Sequence, residues 1–456
     1  MQYNLDKIAK KYGVTLDEDQ EKVLDQLLNF LKGPEHEICL SGRAGVGKSL
    51  IANILYDFLD KNMIKVCFVT PTNKSKAVLV GNDQMKEART IHSLLSLRPN
   101  VEIMDYDASQ LKFDFGIINK IKVPLYDVLL IDECSMINDD IYDLLLKCYP
   151  KSKLIFFGDR SQLSPVNQEF TSKTFKCRTI ELTKVYRQPE SKLYKVLEYL
   201  RKKPLRYFKN VEDKYCNIIV YNDIMEMLNN YAPLYLVSKN FKDRTLVKLV
   251  TYTNNRVQAL NEIIRKKLYK GQDEYHEGEL LTTYDKIVYD PKHVILENSL
   301  DYIVKYVHNT QVFILDELFE GYELTLTDGS QDYIVKILSK RNPESKFDNL
   351  AKKIEELRIT AVQKKAPAYW KLYFKAINSF LTPKDLVYED RVVKRKSLDY
   401  GYCISAHKSQ SSSYDLVMVD LENILRCQNA EELRQMEYVA CSRTRGDLII
   451  YQRENA

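Results

Sequence analysis

The chain has 456 residues, 45% hydrophobic and 29% charged, a usage that predicts a folded protein with roughly two to four cored domains. A net charge of +5 permits a polyanionic partner without arguing for one. Nine cysteines with no C-x-x-C pair argue against a disulfide framework or a zinc site. The start "MQYNLDKIAKKYG" lacks an apolar signal core, and no window approaches the ~18 uninterrupted apolar residues of a membrane span, so the chain is expected in the cytoplasm and off the membrane.

The first half alternates short β-like runs with amphipathic helices. "EICLSG" (37–42) precedes a helical pattern over 50–60, "KVCFVT" (65–70) one over 74–81 and "DVLLIDE" (127–133) one over 139–148. "KLIFFGD" (153–159) closes the series. Such alternation predicts parallel strands covered by helices on both faces, giving an α/β fold. Residues 96–115, "SLRPNVEIMDYDASQLKFDF", interrupt it with two alternating segments that read as a β-hairpin.

A second group of apolar runs, "TLVKLVTYT" (245–253), "GYCIS" (401–405), "DLVMVDL" (415–421) and "DLIIY" (447–451), suggests a second α/β domain split in sequence. Between its halves, residues 275–400 carry the closely spaced β-like segments "YIVKYV", "TQVFILDE", "YELTLTDG" and "DYIVKIL", as in a small SH3-like barrel. Two helices follow. One aligns Phe347, Leu350, Ile354 and Leu357; the other starts at Pro367 and aligns Trp370, Tyr373, Phe374 and Ile377, a stripe more suited to core than to ligand.

"SGRAGVGKSL" contains G-x-x-x-x-G-K-S between a predicted strand and a predicted helix. Gly42, Gly45 and Gly47 would let backbone N–H groups wrap a phosphate at a helix N-terminus, Lys48 would reach the outer phosphates, and the Ser49 hydroxyl would join Mg²⁺. Mg²⁺ needs oxygen partners, which "VLLIDE" supplies: Asp132 for the metal shell and Glu133 to polarise an attacking water. "FFGDRSQLSPV" ends another apolar strand with Asp159 and Gln162, where a γ-phosphate could be sensed. Arg187 in "VYRQ" and Arg443 in "YVACSRTRGD" could act as arginine fingers, each worth about 10³–10⁵ in rate. Together these residues point to a nucleoside triphosphate hydrolase. They leave switch and motor open, and "AHKSQSSSYD" (406–415) reads on composition alone as a serine linker.

The segments "LDEDQ", the P-loop, "TPTNKSKAVL", "TIHSLL", "LLIDECSM", "GDRSQLSPV", "VYRQ", "TYTNNRVQALN", "ISAHKSQSSSYD" and "YVACSRTRGD" occur in the order and spacing of superfamily 1 helicases, and the set resembles the 5′-to-3′ branch with its small phage members. The resemblance covers nearly the whole chain. It implies two RecA-like parallel-sheet motor domains, one at 1–95 and 116–195 and one at 196–274 and 401–456. A β-hairpin insertion at 96–115 would lie in the first and an SH3-like plus helical insertion at 275–400 in the second.

By the same resemblance Gln20 would contact adenine, and Lys48, Ser49, Asp132, Glu133, Gln162, Arg187 and Arg443 would surround ATP and Mg²⁺ at a cleft between the motor domains. Thr70, Pro71, Thr72, Lys74, Thr90 and His92 in one domain, with Thr253, Asn254, Ser405, His407, Lys408 and Gln410 in the other, would grip single-stranded DNA. "AHKSQSSSYD" thereby becomes a site, although the family has Gly where this chain has Ser411, a poor fit if that position needs φ > 0. Pro99 with Phe113 or Phe115 would form a strand-separating pin, useful because each duplex step costs about 1.4 kcal/mol of stacking.

The resemblance implies a monomeric, Mg²⁺- and ATP-dependent DNA helicase moving 5′ to 3′ on single strands. It would act at single-strand/duplex junctions, in phage replication or recombination with the proteins of those processes, inside the bacterial cytoplasm. The alternatives are a superfamily 1 RNA helicase and an ATP-driven translocase or clamp that does not unwind. A P-loop switch that never touches nucleic acid is a further rival.

Overall fold

The protein's structure, a computed structural model, describes residues 5–43, 45–72, 75–76, 79, 86–95, 97, 123–165, 172–184, 186, 191–236, 246–271, 273–283, 287–290, 293–296, 300–364 and 366–453. Of 288–290 and 293–295 only the backbone is described. The expected hairpin with Pro99, Phe113 and Phe115 lies outside these residues, as do Lys74, Arg187 and most of the helix expected at 74–81. The chain forms two compact units: Met1–Ile218 with Ser409–Ser413 and Ile424–Arg443, and Ile219–Lys408 with Tyr414–Asn423 and Thr444–Ala456.

In the first unit, strands β1 (Glu37–Gly42), β2 (Val66–Thr70), β3 (Ala88–Thr90), β4 (Val128–Ile131), β5 (Lys153–Gly158) and β6 (Thr179–Leu182) build one sheet in the order β3-β2-β4-β5-β1-β6. Every neighbouring pair in it is parallel. Parallel strands need both faces covered, and the alternation of their side chains supplies two cores. Leu40, Phe68, Leu130 and Phe157 pack toward the helices Glu18–Lys32 and Lys48–Lys61. Cys39, Val69, Ile131 and Phe156 pack with Ile141 and Leu145 of the helix Asp139–Cys148.

The second unit holds a second α/β layer. Strands β7 (Ile218–Tyr221) and β8 (Val247–Thr251) precede the insertion, and β18 (Cys403–Ser405), β19 (Leu416–Asp420) and β20 (Leu448–Tyr451) follow it, in the order β18-β8-β19-β20-β7. The β18–β8, β8–β19 and β19–β20 pairs are parallel. The insertion contains a five-stranded sheet ordered β14-β13-β12-β9-β17, made of β9 (Leu280–Thr283), β12 (Asp301–Ile314), β13 (Glu317–Thr327), β14 (Asp332–Leu338) and β17 (Leu398–Tyr400). Two small hairpins, β10 (Ile287–Asp290) with β11 (His293–Leu296) and β15 (Leu386–Tyr388) with β16 (Arg391–Lys394), complete it.

The structure departs from two of the expected strand runs. "YIVKYV" and "TQVFILDE" are one strand rather than two, because a register shift between Val304 and Tyr306 absorbs the break in alternation and lets β12 run on against β13. "GYCIS" is a strand only from Cys403; Gly401 lies in the bend before it, packed so closely that a Cβ would sit 2.9 Å from Leu280 Cγ. The two helices, Glu344–Lys364 and Pro367–Asn378, pack Phe347, Leu350, Ile354 and Tyr373 against Val312 and Phe319, while Phe374 stays 38% exposed. A single core joins Val247, Leu249 and Met418 to Leu281, Tyr302 and Leu324, so the insertion and the parallel sheet share one interior. Buried Lys248 reinforces it by donating to Asp301 Oδ2 at 2.8 Å.

Candidate active site

In open parallel sheets, loops at the carboxyl ends of the strands carry the ligand chemistry. The C-terminal edge of the first sheet carries the expected residues in spatial order. Thr90 ends β3, Thr70 ends β2, Asp132 follows β4, Asp159 follows β5, and Gly42 ends β1 at the start of the P-loop.

The P-loop glycines have distinct duties. Gly45 and Gly47 adopt φ of +83° and +89°, where a side chain is strained. A Cβ on Gly42 would lie 2.8 Å from Val46 Cγ2 and 2.9 Å from the Leu182 carbonyl oxygen. Gly47 then caps the helix Lys48–Lys61. Lys48 Nζ donates to the carbonyl oxygens of Gly42 and Arg43, the latter at 2.9 Å, so the ammonium is held over the loop that a phosphate would enter. Gln20 is buried in a capping box: Asp17 N donates to its Oε1 at 3.3 Å, and its Nε2 lies 3.3 Å from where a Gly47 Cβ would stand.

Asp132 and Glu133 form the acidic side. Although some of Asp132's surface stays open, burial of its carboxyl and then the charge of Glu133 push it up to about 7, against the pull of Lys48. A divalent cation would relieve that repulsion, and Ser49 Oγ with the Asp132 carboxylate is the oxygen-only donor set that suits Mg²⁺. Among the described residues no cluster of three or more His, Cys, Asp or Glu side chains could hold a metal ion. Glu133 itself sits at φ +53°, a left-handed conformation costing about 1–3 kcal/mol in a residue with a side chain. The turn that follows, Cys134–Met136, presses on β5: a Cβ on Gly158 would lie 2.5 Å from Cys134 Sγ.

Asp159, expected with Gln162 at the γ-phosphate sensor, is fully buried and anchored, accepting from Tyr438 OH at 2.7 Å, from Arg201 Nη1 at 3.2 Å and from Ser161 N at 3.0 Å. Gln162 is buried beside it, and its Oε1 is without a hydrogen-bond partner among the described residues. Arg443 is buried too: Nε donates to Val439 O at 3.0 Å and Nη2 to Ser442 Oγ at 2.8 Å. Its guanidinium would have to leave these partners to act as a finger.

The residues expected to hold a nucleic-acid strand gather at two pairs of strand ends. In the first unit Thr70 and Thr90 are register partners on β2 and β3. Thr70 is buried and donates to Thr72 O at 2.8 Å, so it shapes the loop, whereas Thr90 caps the turn that presents exposed His92. Pro71 and Thr72 lie between, with Thr72 Oγ1 2.7 Å from Ser75 Oγ. In the second unit Thr251 and Ser405 are register partners at the ends of β8 and β18, the strands that lead into Thr253 and Asn254 and into His407 and Lys408. Thr253 caps the helix Asn254–Leu268, exposed Asn254 opens it, and the rings of Tyr252 and His407 lie 6.4 Å apart. Ser405 is buried, and its Oγ accepts from Lys408 N at 3.4 Å. Gln410 does not join this group. It groups with the first unit, where its Nε2 donates to Leu163 O at 3.3 Å.

Sequence reasoning missed two residues. Tyr186, 43% exposed, has its ring 3.9 Å from the Cβ position of Gly47 and its hydroxyl 2.5 Å from Asp17 Oδ2. Its position just before Arg187 in "VYRQ" could have flagged it. Asn423 is buried, and its Oδ1 accepts from Tyr252 N at 3.1 Å and Thr253 N at 2.9 Å. An amide 170 residues downstream of the loop that it fixes leaves no local trace.

Residues 15–214 match the family described as an AAA domain. The ATP-dependent DNA helicase dda of Enterobacteria phage T4 is 24% identical over 464 residues, covering 95% of this chain and 98% of that protein. The ATP-dependent RecD2 DNA helicase of Deinococcus radiodurans is 30% identical over 184 residues, 40% of this chain and 23% of its own length. Among solved structures, the Pif1 helicase from Candida albicans aligns over 96% of this chain and 95% of that one with 18% identity and a TM-score of 0.49. The chain is therefore similar, along nearly all of its length, to one ATP-dependent DNA helicase and over shorter stretches to another and to the AAA domain family.

Proposed function

We propose that this chain is an ATP-dependent DNA helicase that hydrolyses ATP at the P-loop edge of its first sheet, travels 5′ to 3′ on single-stranded DNA and separates the duplex ahead. The observation that carries the reading is the order of residues along that edge: phosphate loop, sensor loop, acidic pair and strand-gripping threonines lie on consecutive strands of one rigid sheet. A change at the phosphate end thus has a short, stiff path to the nucleic-acid end.

In this reading the P-loop amides and Lys48 hold the β- and γ-phosphates, with Lys48 exchanging its two carbonyl partners for phosphate oxygens. Mg²⁺, held by Ser49 and Asp132, would screen the charge that develops on the phosphates. Glu133 orients the attacking water and takes its proton, Gln162 contacts the γ-phosphate, and Arg187 and Arg443 stabilise the transition state. Gln20 and the exposed ring of Tyr186 flank the base. Thr72, Thr90 and His92 in the first unit, with Thr253, Asn254, His407 and Lys408 in the second, hold backbone phosphates through small hydroxyls, amides and few cations, which suits a motor that must grip every sequence and release it. Residues 96–115 would supply the pin, within domain limits of 1–95 with 116–195 and 196–274 with 401–456, and 275–400 would brace the strand. A monomer working in phage replication or recombination fits this reading.

ATP hydrolysis measured with DNA and RNA oligomers of one sequence tests the substrate. Stimulation by DNA above RNA is expected. Stimulation by RNA alone would replace the reading with an RNA helicase, and none by either would leave a nucleotide switch.

A further inference from the structure

The 159–164 loop is held at several points by residues far away in sequence. Asp159, 0% exposed, accepts from Tyr438 OH at 2.7 Å and from Arg201 at 3.2 and 3.4 Å. Ser164 N donates to Gln435 Oε1 at 3.1 Å, and Gln435 Nε2 donates back to Ser164 Oγ at 3.3 Å. Leu163 O accepts from Gln410. Tyr438 and Gln435 lie on the helix Ala430–Cys441, whose C-terminal end leads into Arg443. The same helix grips the end of the helix Lys192–Leu200, since Arg434 Nη1 donates to Arg201 O at 2.9 Å and Leu205 N donates to Glu437 Oε2 at 2.6 Å.

Gln162 hangs between these anchors, its N–H donating to Asp159 O at 3.1 Å. A buried carboxylate is stable only with partners of fixed geometry, and Tyr438 with Arg201 supplies both a hydroxyl and a charge. A shift of the Gln162 loop on meeting a γ-phosphate therefore pulls on Tyr438, and through one rigid helix on Arg443. We propose that Tyr438 is a positioning residue: its hydroxyl, through Asp159, ties the γ-phosphate loop to the arginine-bearing helix and sets how strongly a bound strand accelerates ATP turnover. Tyr438 touches neither ATP nor DNA in this scheme. The inference rests on the helicase reading above.

The test is Tyr438→Phe, which keeps the ring and deletes the bond to Asp159. ATP hydrolysis is measured with and without a poly(dT) oligomer across ATP concentrations, alongside thermal melting of the full chain. A hydrogen bond to a charged group is strong enough to move a rate about tenfold, so the strand-stimulated kcat should fall about tenfold. The strand-free rate and the KM for ATP should stay within about twofold of the starting protein. A purely structural role would lower stimulated and strand-free rates together with the melting temperature. An unchanged ratio of stimulated to strand-free rate, with stimulation intact in the unaltered chain, overturns the inference alone, and a proportional loss of both rates does the same. Absence of stimulation in the unaltered chain overturns the helicase reading and this inference with it. Asp159→Asn, which removes the charge and keeps the shape, is the second variant and should lower the same ratio; an unchanged ratio there also refutes the link.

Discussion

Replacing Ser411 by glycine should make the protein more stable. Ser411 adopts φ +61°, and its Oγ is buried without a hydrogen-bond partner among the described residues. The left-handed conformation costs a residue with a Cβ about 1–2 kcal/mol. An unsatisfied buried hydroxyl costs about 1–3 kcal/mol more. Against these, glycine gives the unfolded chain extra freedom worth about 0.4–1 kcal/mol. The balance favours Ser411→Gly by about 1 kcal/mol or more. Urea unfolding followed by far-UV circular dichroism reads it as a higher midpoint at unchanged slope. Ser411→Ala separates the contributions, since alanine removes the hydroxyl and keeps the strain, and should recover only part of the gain. A midpoint for Ser411→Gly equal to or below that of the starting protein would show that the loop does not carry the strain assigned to it.

Asn423→Ala should weaken binding of a labelled single-stranded oligonucleotide about tenfold in fluorescence anisotropy, because the loop at Thr253 loses the acceptor that shapes it. Burial raises Glu437 from 4.5 to about 8, so the folded state keeps a proton that the unfolded chain has released, and stability should fall as pH rises from 4.5 to about 8. Glu437→Gln should flatten that decline and gain about 1–3 kcal/mol at pH 8 in urea titrations. Gly158→Ala should push Cys134 and its neighbour Glu133 out of place, lowering the kcat of ATP hydrolysis at least about tenfold, since its Cβ would meet Cys134 Sγ at 2.5 Å.

Strands β1, β2, β4, β5, β8, β18, β19 and β20 were legible as short apolar runs, whereas β3, which reads Ala-Arg-Thr, and the edge strands β6 and β7 were not; the P-loop glycines were legible because their backbone demands admit no other residue. Ser411 was legible as a misfit, and φ +61° bears the suspicion out. The role of Asp159 was not. Its partners Arg201 and Tyr438 are 42 and 279 positions away, and a buried carboxylate at a strand end reads the same as an exposed one until the partners are known. The partner of Gln410 was hidden for a similar reason: its amide donates to Leu163 O, 247 positions away. The 275–400 segment was legible as strands and misjudged in their number, because a bulge disguises one long strand as two.

The most direct test is ATP-driven separation of matched duplexes carrying only a 5′ or only a 3′ single-stranded DNA tail, run beside Lys48→Ala. The account predicts separation of the 5′-tailed duplex alone and none with Lys48→Ala. Separation of the 3′-tailed duplex alone, or undiminished separation without Lys48, would contradict it.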